Sequence, residues 1–185
     1  MISTYSCKGQ DEKLNYANNL KSCLTDNDII ELNKATNLFE EKLKTKYGSE
    51  NINQNYLTYL KDLAMRNINP QFFLDNDSAL TLKSLDESGT SNKIWISNTD
   101  SKGRSFMTLD KDGAYLKCML NKNKNETIKE VISMQAELGG ISPGLTSRAI
   151  TENLTETDFN DGLNKVVIAI GFYYELSRLF RQRQK

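Results

Sequence analysis

Apolar residues recur at helical spacing along most of the chain. The strongest stripe follows the capping candidates Asn27 and Asp28 and stops at Gly48, a residue type that commonly terminates helices. Its members are Ile29, Leu32, Ala35, Leu38, Phe39 and Leu43. Stripes of the same period predict further helices over residues 11–24 and 49–69. The first part of the chain is therefore predicted to form three amphipathic helices joined by short links.

The helical pattern weakens after Pro70, which is expected to open a short helical turn, while Asp77 is expected to cap another. Two β-prone runs, 94–96 and 106–109, then flank a turn-rich segment. This arrangement is typical of a β-hairpin. The pattern favours a hairpin here, and the alternative is an irregular excursion whose Trp95 fills the core.

Helical periodicity resumes near Gly113 and continues towards the C-terminus. It predicts a short helix after Gly113 and another over residues 125–138. Ser142 followed by Pro143 marks a further helix start, because the hydroxyl caps and proline suits the first helical position. The last helix, 163–181, is apolar nearly all round, which indicates that the other helices surround it.

Together these elements predict a mainly α-helical fold. We expect a single-domain bundle of about seven or eight helices, with a small hairpin or irregular insert near residues 90–110. The chain is divided into a tether over residues 1–12 and one helical domain over residues 13–185. No run of apolar residues approaches the about 18 to 20 needed to span a bilayer.

The charges are balanced and histidine does not occur. The 185 residues include 24 Lys and Arg, 24 Asp and Glu and no His. A net charge of zero argues against a nucleic-acid binder whose affinity depends on neutralising phosphates. Without an imidazole the chain has no Ser-His-Asp triad, no Cys-His pair and no histidine metal ligand. We therefore expect no nucleic-acid partner and no catalysis of these kinds.

The N-terminus carries the most informative functional signal. A small residue precedes Cys7 and a polar tether follows it, in the string Ser6-Cys7-Lys8-Gly9-Gln10. This string resembles the lipobox exit of Bacteroidota lipoproteins, whose cysteine is acylated and becomes the first residue of the mature protein. The residues before Cys7 lack the charged and apolar regions of a complete signal peptide, so the alternative is a chance cysteine in a frayed terminus.

The resemblance implies a lipid on Cys7 and anchorage in the bacterial cell envelope. The expected location is the outer membrane, facing the periplasm or the cell surface. The two other cysteines, Cys23 and Cys118, stand among leucines and are interpreted as buried free thiols. The sequence leaves their pairing open, because it does not give the distance between them.

The sequence contains no complete motif for a metal or a cofactor. Asp110, Asp112 and Gly113 resemble half of a calcium-binding loop, but Met119 stands where the bidentate glutamate is required. Scattered cysteines without histidine do not make a zinc site. The glycine pair at residues 139–140 lacks the lysine of a phosphate-binding loop. We predict no metal and no cofactor.

Carboxylate pairs are the remaining enzymatic candidates, because acid–base catalysis can proceed without histidine. They are Glu40-Glu41, Asp86-Glu87 and the group Glu152, Glu156, Asp158 and Asp161. All fall on polar helix faces or in caps, where solvated carboxylates are the rule. Glu175 differs, because it lies in the apolar last helix, either as a core carboxylate or at that helix's polar edge. We predict no catalytic residue.

Aromatic residues suggest a second interpretation. Trp and Tyr are enriched at protein interfaces, although core packing also explains them. The candidate partner-binding residues are Tyr56, Tyr59, Trp95, Tyr173 and Tyr174.

The function expected from these patterns is non-catalytic binding of a protein partner at the cell envelope. In size, class and compartment the chain is similar to the immunity proteins that neutralise interbacterial toxins, and toxin neutralisation is the first hypothesis. The alternatives are a carboxylate-based hydrolase acting on envelope glycans and a structural lipoprotein of an outer-membrane assembly.

Overall fold

Eight α-helices and one two-stranded hairpin form the part of the chain that a computed structural model describes, residues 15–99, 101, 103, 105–137 and 143–184. Seven of the helices are α1 (Asp26–Tyr47), α2 (Ile52–Ala64), α3 (Asn76–Glu87), α4 (Ser91–Ile94), α5 (Ala114–Lys122), α6 (Glu126–Glu137) and α7 (Pro143–Thr151). The eighth, α8, runs without interruption through Gly162–Val167, a π-helical stretch at Ile168–Tyr174, and Glu175–Gln182. The predicted mainly α-helical fold with a small hairpin is confirmed.

The ends of α1 show how local sequence sets a helix. The Thr25 hydroxyl accepts a hydrogen bond from the backbone N–H of Asp28 at 3.3 Å, and the Asp28 carboxylate accepts one from the backbone N–H of Thr25 at 2.8 Å. This reciprocal capping box satisfies two donors at once. The helix therefore begins before the predicted caps, since Asp28 serves inside the box. Gly48, with φ of 99°, ends the helix as predicted.

The predicted helix over residues 11–24 is not formed in its described part. Residues 15–24 make only a single 3₁₀ turn, Asn18–Leu20. Side-chain amides replace helical hydrogen bonds, because Asn33 of α1 accepts from the backbone N–H of Ala17 at 2.8 Å and donates to Asn18 at 3.3 Å. This N-terminal segment, residues 15–24, is held by tertiary contacts instead.

Most of the other helix boundaries follow the predicted signals, but α2, Ile52–Ala64, is shorter than the predicted helix over residues 49–69. Pro70 opens a 3₁₀ turn, Pro70–Phe73, as predicted. The cap of α3 is Asp75, whose carboxylate accepts from the backbone N–H of Ser78 at 2.9 Å, rather than the predicted Asp77. The starts of α6 and α7 agree with the predicted ones within one residue. A further 3₁₀ turn, Glu156–Asn160, precedes α8.

The hairpin consists of β1 (Trp95–Thr99) and β2 (Ser105–Leu109), paired antiparallel with Trp95 opposite Leu109. The prediction of a hairpin is therefore confirmed. Trp95 is also buried, as the alternative interpretation required. The tryptophan fixes the base of the hairpin in the core.

Helix α8 forms the centre of the core. Every residue from 166 to 177 is buried, and the helix contacts α1, α3, α6 and the hairpin. The prediction that the other helices surround it is confirmed. No helix among the described residues combines the length and the apolar character needed to cross a membrane.

A disulfide joins Cys23, just after the first 3₁₀ turn, to Cys118 in α5, with the two Cα atoms 5.9 Å apart. The expectation of two buried free thiols is wrong. Cys118 is buried, but Cys23 is exposed and lies in a turn. This turn contacts α5 only in the folded chain, so the local sequence around Cys23 does not indicate the bond. The bond covalently ties the N-terminal segment to the middle of the chain.

Candidate functional site

The five aromatic residues proposed for partner binding all lie in the interior. Tyr56, Tyr59 and Tyr173 are fully buried, and Trp95 and Tyr174 are nearly so. Burial raises the pKa of Tyr56 and Tyr59 well above the usual value for tyrosine. In the folded chain these side chains form core and not surface, so a partner-binding surface made of them is a prediction that the described structure corrects.

Phe39 of α1 organises much of this aromatic interior. Its ring lies 5.6 Å from the Tyr56 ring, 5.0 Å from the Tyr59 ring and 4.7 Å from the Tyr173 ring, measured between centroids. The hydroxyls of the four candidate tyrosines find internal acceptors, such as the backbone carbonyl of Phe172 for Tyr59 at 3.3 Å and that of Ala35 for Tyr174 at 3.1 Å. These aromatic contacts explain why so many tyrosines are placed on α2 and α8.

A buried ion pair, which we call the Glu40 site, connects α1 to the first turns of α8. Glu40 accepts hydrogen bonds from the hydroxyls of Tyr16 at 2.8 Å and Tyr56 at 3.4 Å, and Lys165 lies 2.9 Å from its carboxylate. Both charged side chains are mostly buried, with 6% of Glu40 and 13% of Lys165 exposed. Tyr16 reaches the site because its backbone packs closely against Gly162.

A second buried carboxyl group lies at the other end of α8 and has no such cation among its described hydrogen-bond partners. In the Glu175 site, Gln135 of α6 donates to Glu175 at 3.1 Å and to the backbone carbonyl of Gly171 at 2.8 Å. Burial raises the pKa of Glu175 to about 8, although Gln135 and the nearby Trp95 indole lower it. The indole N–H completes no regular hydrogen bond, and the side-chain oxygen of Gln135 has no partner among the described atoms.

The other carboxylate candidates are engaged separately. Glu41 pairs with Lys44 at 2.8 Å, and Glu152 pairs with Arg148 at 3.0 Å. Asp158 and Asp161 cap the turns that precede and open α8. The described contacts therefore give each of these carboxylates a structural partner of its own.

An open cleft of about 310 Å³ lies between α3 and α8. Its cationic side chains are Lys83, Arg178 and Arg181, its carboxylate is Asp86, and its remaining lining comes from Ala79, Leu82 and Gln182. The lining of the cleft thus includes three cations, one anion and some apolar surface. We call it the cationic cleft.

Arg178 is the most firmly placed group in the cationic cleft. Its guanidinium faces the Trp95 ring, with the central carbon 4.5 Å from the ring centroid. Two of its nitrogens meet the two carboxylate oxygens of Asp86, and one also donates to the Ser91 hydroxyl at 2.6 Å. The buried Nε has no partner among the described atoms. Stacking and bidentate contact hold the guanidinium in a geometry suited to a carboxylate.

Arg181 and Lys83 stand beside Arg178. Arg181 donates to the backbone carbonyls of Phe73 and Asp75 and, at 3.4 Å, to the Ser177 hydroxyl. These neutral acceptors satisfy its N–H groups without neutralising its charge. Lys83 is exposed and lies 3.6 Å from Glu87. The described ion pairs therefore leave the cleft with excess positive charge.

Sequence reasoning missed this cleft. It interpreted the basic end of the last helix as a complement to the helix dipole, and it placed Asp86 among candidate catalytic carboxylates. The spacing of Arg178 and Arg181 does put them on one face of α8. Their convergence with α3 is a tertiary contact that no local pattern signals.

The predicted lipid site at Cys7 and the predicted tether over residues 1–12 both lie outside the described residues.

Within the described part of the chain, no group of three or more acidic or cysteine side chains is placed to hold a metal ion.

Comparisons with protein-family models, with curated proteins and with solved structures find no match to this chain.

Proposed function

We propose that this protein is a non-catalytic binding protein that acts outside the cytoplasm, tethered to the cell envelope through a lipid on Cys7, and that it recognises a protein partner. The observation that carries the proposed location outside the cytoplasm is the disulfide between Cys23 and Cys118. Disulfides form and persist in oxidising compartments such as the periplasm and cell surface, and are rare in cytosolic proteins. This agrees with the lipobox-like string around Cys7.

Binding is favoured over catalysis by the state of the acidic groups. The carboxylates that could have served a hydrolase, such as Glu40 and Glu152, are engaged in ion pairs, and Asp158 and Asp161 in caps. The open cleft is lined by cations, of which Arg178 is held in place, and by some apolar surface, which suits recognition of a surface feature of another protein. Neutralisation of a toxin by an immunity-protein-like complex is the form of binding that we propose first.

The tethering is tested by labelling the protein in its native host with an alkyne fatty acid, followed by membrane fractionation. We expect label and membrane association for the natural chain and for the Cys23→Ser/Cys118→Ser variant, and neither for Cys7→Ser. The double variant is the matched control, since it removes two cysteines but leaves Cys7. Label that persists in Cys7→Ser would contradict the tether.

The binding function is tested by photo-crosslinking in the native envelope. A photoreactive residue at exposed Gln182, at the rim of the cationic cleft, is expected to give one discrete crosslinked protein. A second probe at exposed Lys111, in the turn before α5, serves as the control and should give none. Discrete crosslinking to the product of a neighbouring toxin gene would support neutralisation. The same diffuse background from both positions would contradict the binding function.

A further inference from the structure

The cationic cleft has the features of a receptor for a single acidic side chain. A guanidinium fixed by stacking loses little side-chain entropy when it binds, which favours a fixed over a mobile cation. Arg178 is fixed in this way between Trp95 and Ser91. Its fork already holds a carboxylate, that of Asp86, so the geometry for carboxylate recognition is in place.

Asp86 is not a buried partner. Half of its side chain, 52%, is exposed, whereas only 13% of Arg178 is. The exposed carboxylate can therefore rotate into water while the guanidinium stays in place. An incoming carboxylate would take over the same two nitrogens, so Asp86 occupies the position that a ligand would use.

The charge around Arg178 favours such an exchange. Arg181 keeps its charge without a described carboxylate partner, and exposed Lys83 adds a third cation at the rim. Together with Asp86 and with Glu87, the described partner of Lys83, these groups carry a formal charge of +1, which attracts an anion from solution. The side chains of Ala79 and Leu82 supply apolar surface between α3 and α8.

Size and lining select the ligand. The cleft is open and its volume of about 310 Å³ leaves room for one or two acidic side chains. The methylene groups of Asp or Glu can contact the apolar lining while the carboxylate meets the cations, whereas a bare phosphate has no apolar part to contact that lining.

We propose that the cationic cleft receives an acidic side chain of the protein partner, which displaces Asp86 from Arg178. The proposal rests on the proposed function, because it supposes that the partner is a protein. It assigns a recognition role to Arg178 and Arg181 and a placeholder role to Asp86.

Trp95 provides the readout, because it is the single tryptophan of the chain and lies against the Arg178 guanidinium. Its fluorescence is followed while tetraglutamate is added at constant ionic strength, with tetraglutamine as the uncharged counterpart. We expect a saturable change with tetraglutamate only. Inorganic phosphate is the competing probe, and displacement of tetraglutamate by an equal concentration of phosphate would overturn the assignment to a carboxylate side chain.

The variants give effects of opposite sign. Asp86→Asn is expected to bind tetraglutamate about fivefold more tightly, because the competing carboxylate is removed while Arg178 stays in place. Arg178→Gln is expected to abolish binding, and Arg181→Gln to weaken it by about three- to tenfold. Arg148→Gln, on an exposed arginine of α7, is the matched control and should bind like the natural chain.

The outcome for Asp86→Asn keeps the test sharp even if Arg178→Gln fails to fold. Tetraglutamate binding that is unchanged or weaker in Asp86→Asn would overturn the proposal, because removal of a competing carboxylate must strengthen the binding of an anion in this cleft. If a crosslinked partner bound the natural chain and Arg181→Gln with the same affinity, the proposed role of the cationic cleft would be overturned, while the proposed function would be unaffected. Tetraglutamate binding without any crosslinked protein would instead count against the proposed function.

Discussion

The Glu40 site and the Glu175 site both bury a carboxyl group against α8, but they treat its charge differently. Glu40 receives a lysine of the same helix and two tyrosine hydroxyls. Glu175 receives a glutamine amide, and burial raises its pKa to about 8. One end of α8 is thus held by an ion pair, and the other by an acid that is protonated at neutral pH.

The difference teaches where this fold responds to its surroundings. Where a buried charge has its counter-ion, the fold loses stability mainly when one partner of the pair is removed. Where a buried carboxyl group has no counter-ion, the fold loses stability when a rise in pH removes the proton of that group. Four perturbations separate the two sites, beginning with the one expected to have the largest effect.

Opening the disulfide is expected to loosen the Glu40 site first. Cys23 anchors the N-terminal segment, which carries Tyr16 over Glu40. For a loop with a sequence separation of 95, the loss in free energy of unfolding for Cys23→Ser/Cys118→Ser is about 4 to 5 kcal/mol on the chain-entropy model. Urea denaturation measures the loss, with Ser22→Ala as the control. Amide exchange should rise more at Ala17 than at Gln135, and equal increases would contradict the comparison.

Removing the counter-ion is expected to cost slightly less. Lys165→Met leaves the Glu40 carboxylate buried beside two hydroxyls, and the free energy of unfolding should fall by about 3 to 4 kcal/mol. The matched control is Lys129→Met, because Lys129 pairs with an exposed glutamate, and about 0 to 1 kcal/mol is expected there. The double variant Lys165→Met/Glu40→Gln should recover most of the loss. If Lys165→Met and Lys129→Met lowered the free energy of unfolding equally, the ion pair of the Glu40 site would contribute no more to stability than the exposed pair.

The Glu175 site is tested by pH. Between the ordinary pKa of 4.5 and about 8, the unfolded chain has released the Glu175 proton while the folded chain still holds it. Unfolding is therefore increasingly favoured as pH rises through this window, and the loss levels off above about pH 8. Glu175→Gln removes the ionisation, and its stability relative to the natural chain should grow by about 4 kcal/mol from about pH 5 to pH 9.

Parallel stability curves for the two proteins would contradict the raised pKa of Glu175. The substitution also introduces an amide donor beside the side-chain oxygen of Gln135, which has no partner among the described atoms. A gain in stability that is independent of pH would report this new hydrogen bond, while the pH-dependent part reports the carboxyl group.

The smallest effect is expected for Gln135→Met. It removes the donor to Glu175 and to the Gly171 carbonyl, at a cost of about 1 to 2 kcal/mol. Because Gln135 lowers the pKa of Glu175, the variant should also move its titration to higher pH. Carboxyl-carbon NMR measures that shift, with the exposed Gln71→Met as the control. An unchanged pKa of Glu175 in Gln135→Met would contradict the role of Gln135 in lowering that pKa.

Local patterns predicted the secondary structure of the chain well. The stripe from Ile29 to Leu43 gave α1, and the apolar last segment gave the central helix α8. The turn-rich segment between two β-prone runs gave the hairpin. These features depend on residues close in sequence, so their signals are contained in short windows.

The apolar context of Glu175 marked it as a possible core carboxylate, and the structure buries it. The disulfide and the cationic cleft depend on contacts between distant residues and were therefore missed. Nothing near Cys23 announces Cys118, and nothing near Arg178 announces Asp86. The segment over residues 15–24 misled because its apolar spacing is helical, whereas Asn33 supplies competing hydrogen bonds from another helix. The aromatic residues misled because composition alone does not separate core from surface.

The disulfide also changes how the chain would respond to force. Because Cys23 and Cys118 are covalently joined, the intervening residues form a closed loop that carries no tension when the chain is pulled from its two ends. The oxidised chain would therefore extend about 330 Å less than the reduced chain, at about 3.5 Å for each residue of the 95-residue separation. More than half of the protein, including α1, α2 and the hairpin, is in this sense shielded from mechanical load along the backbone.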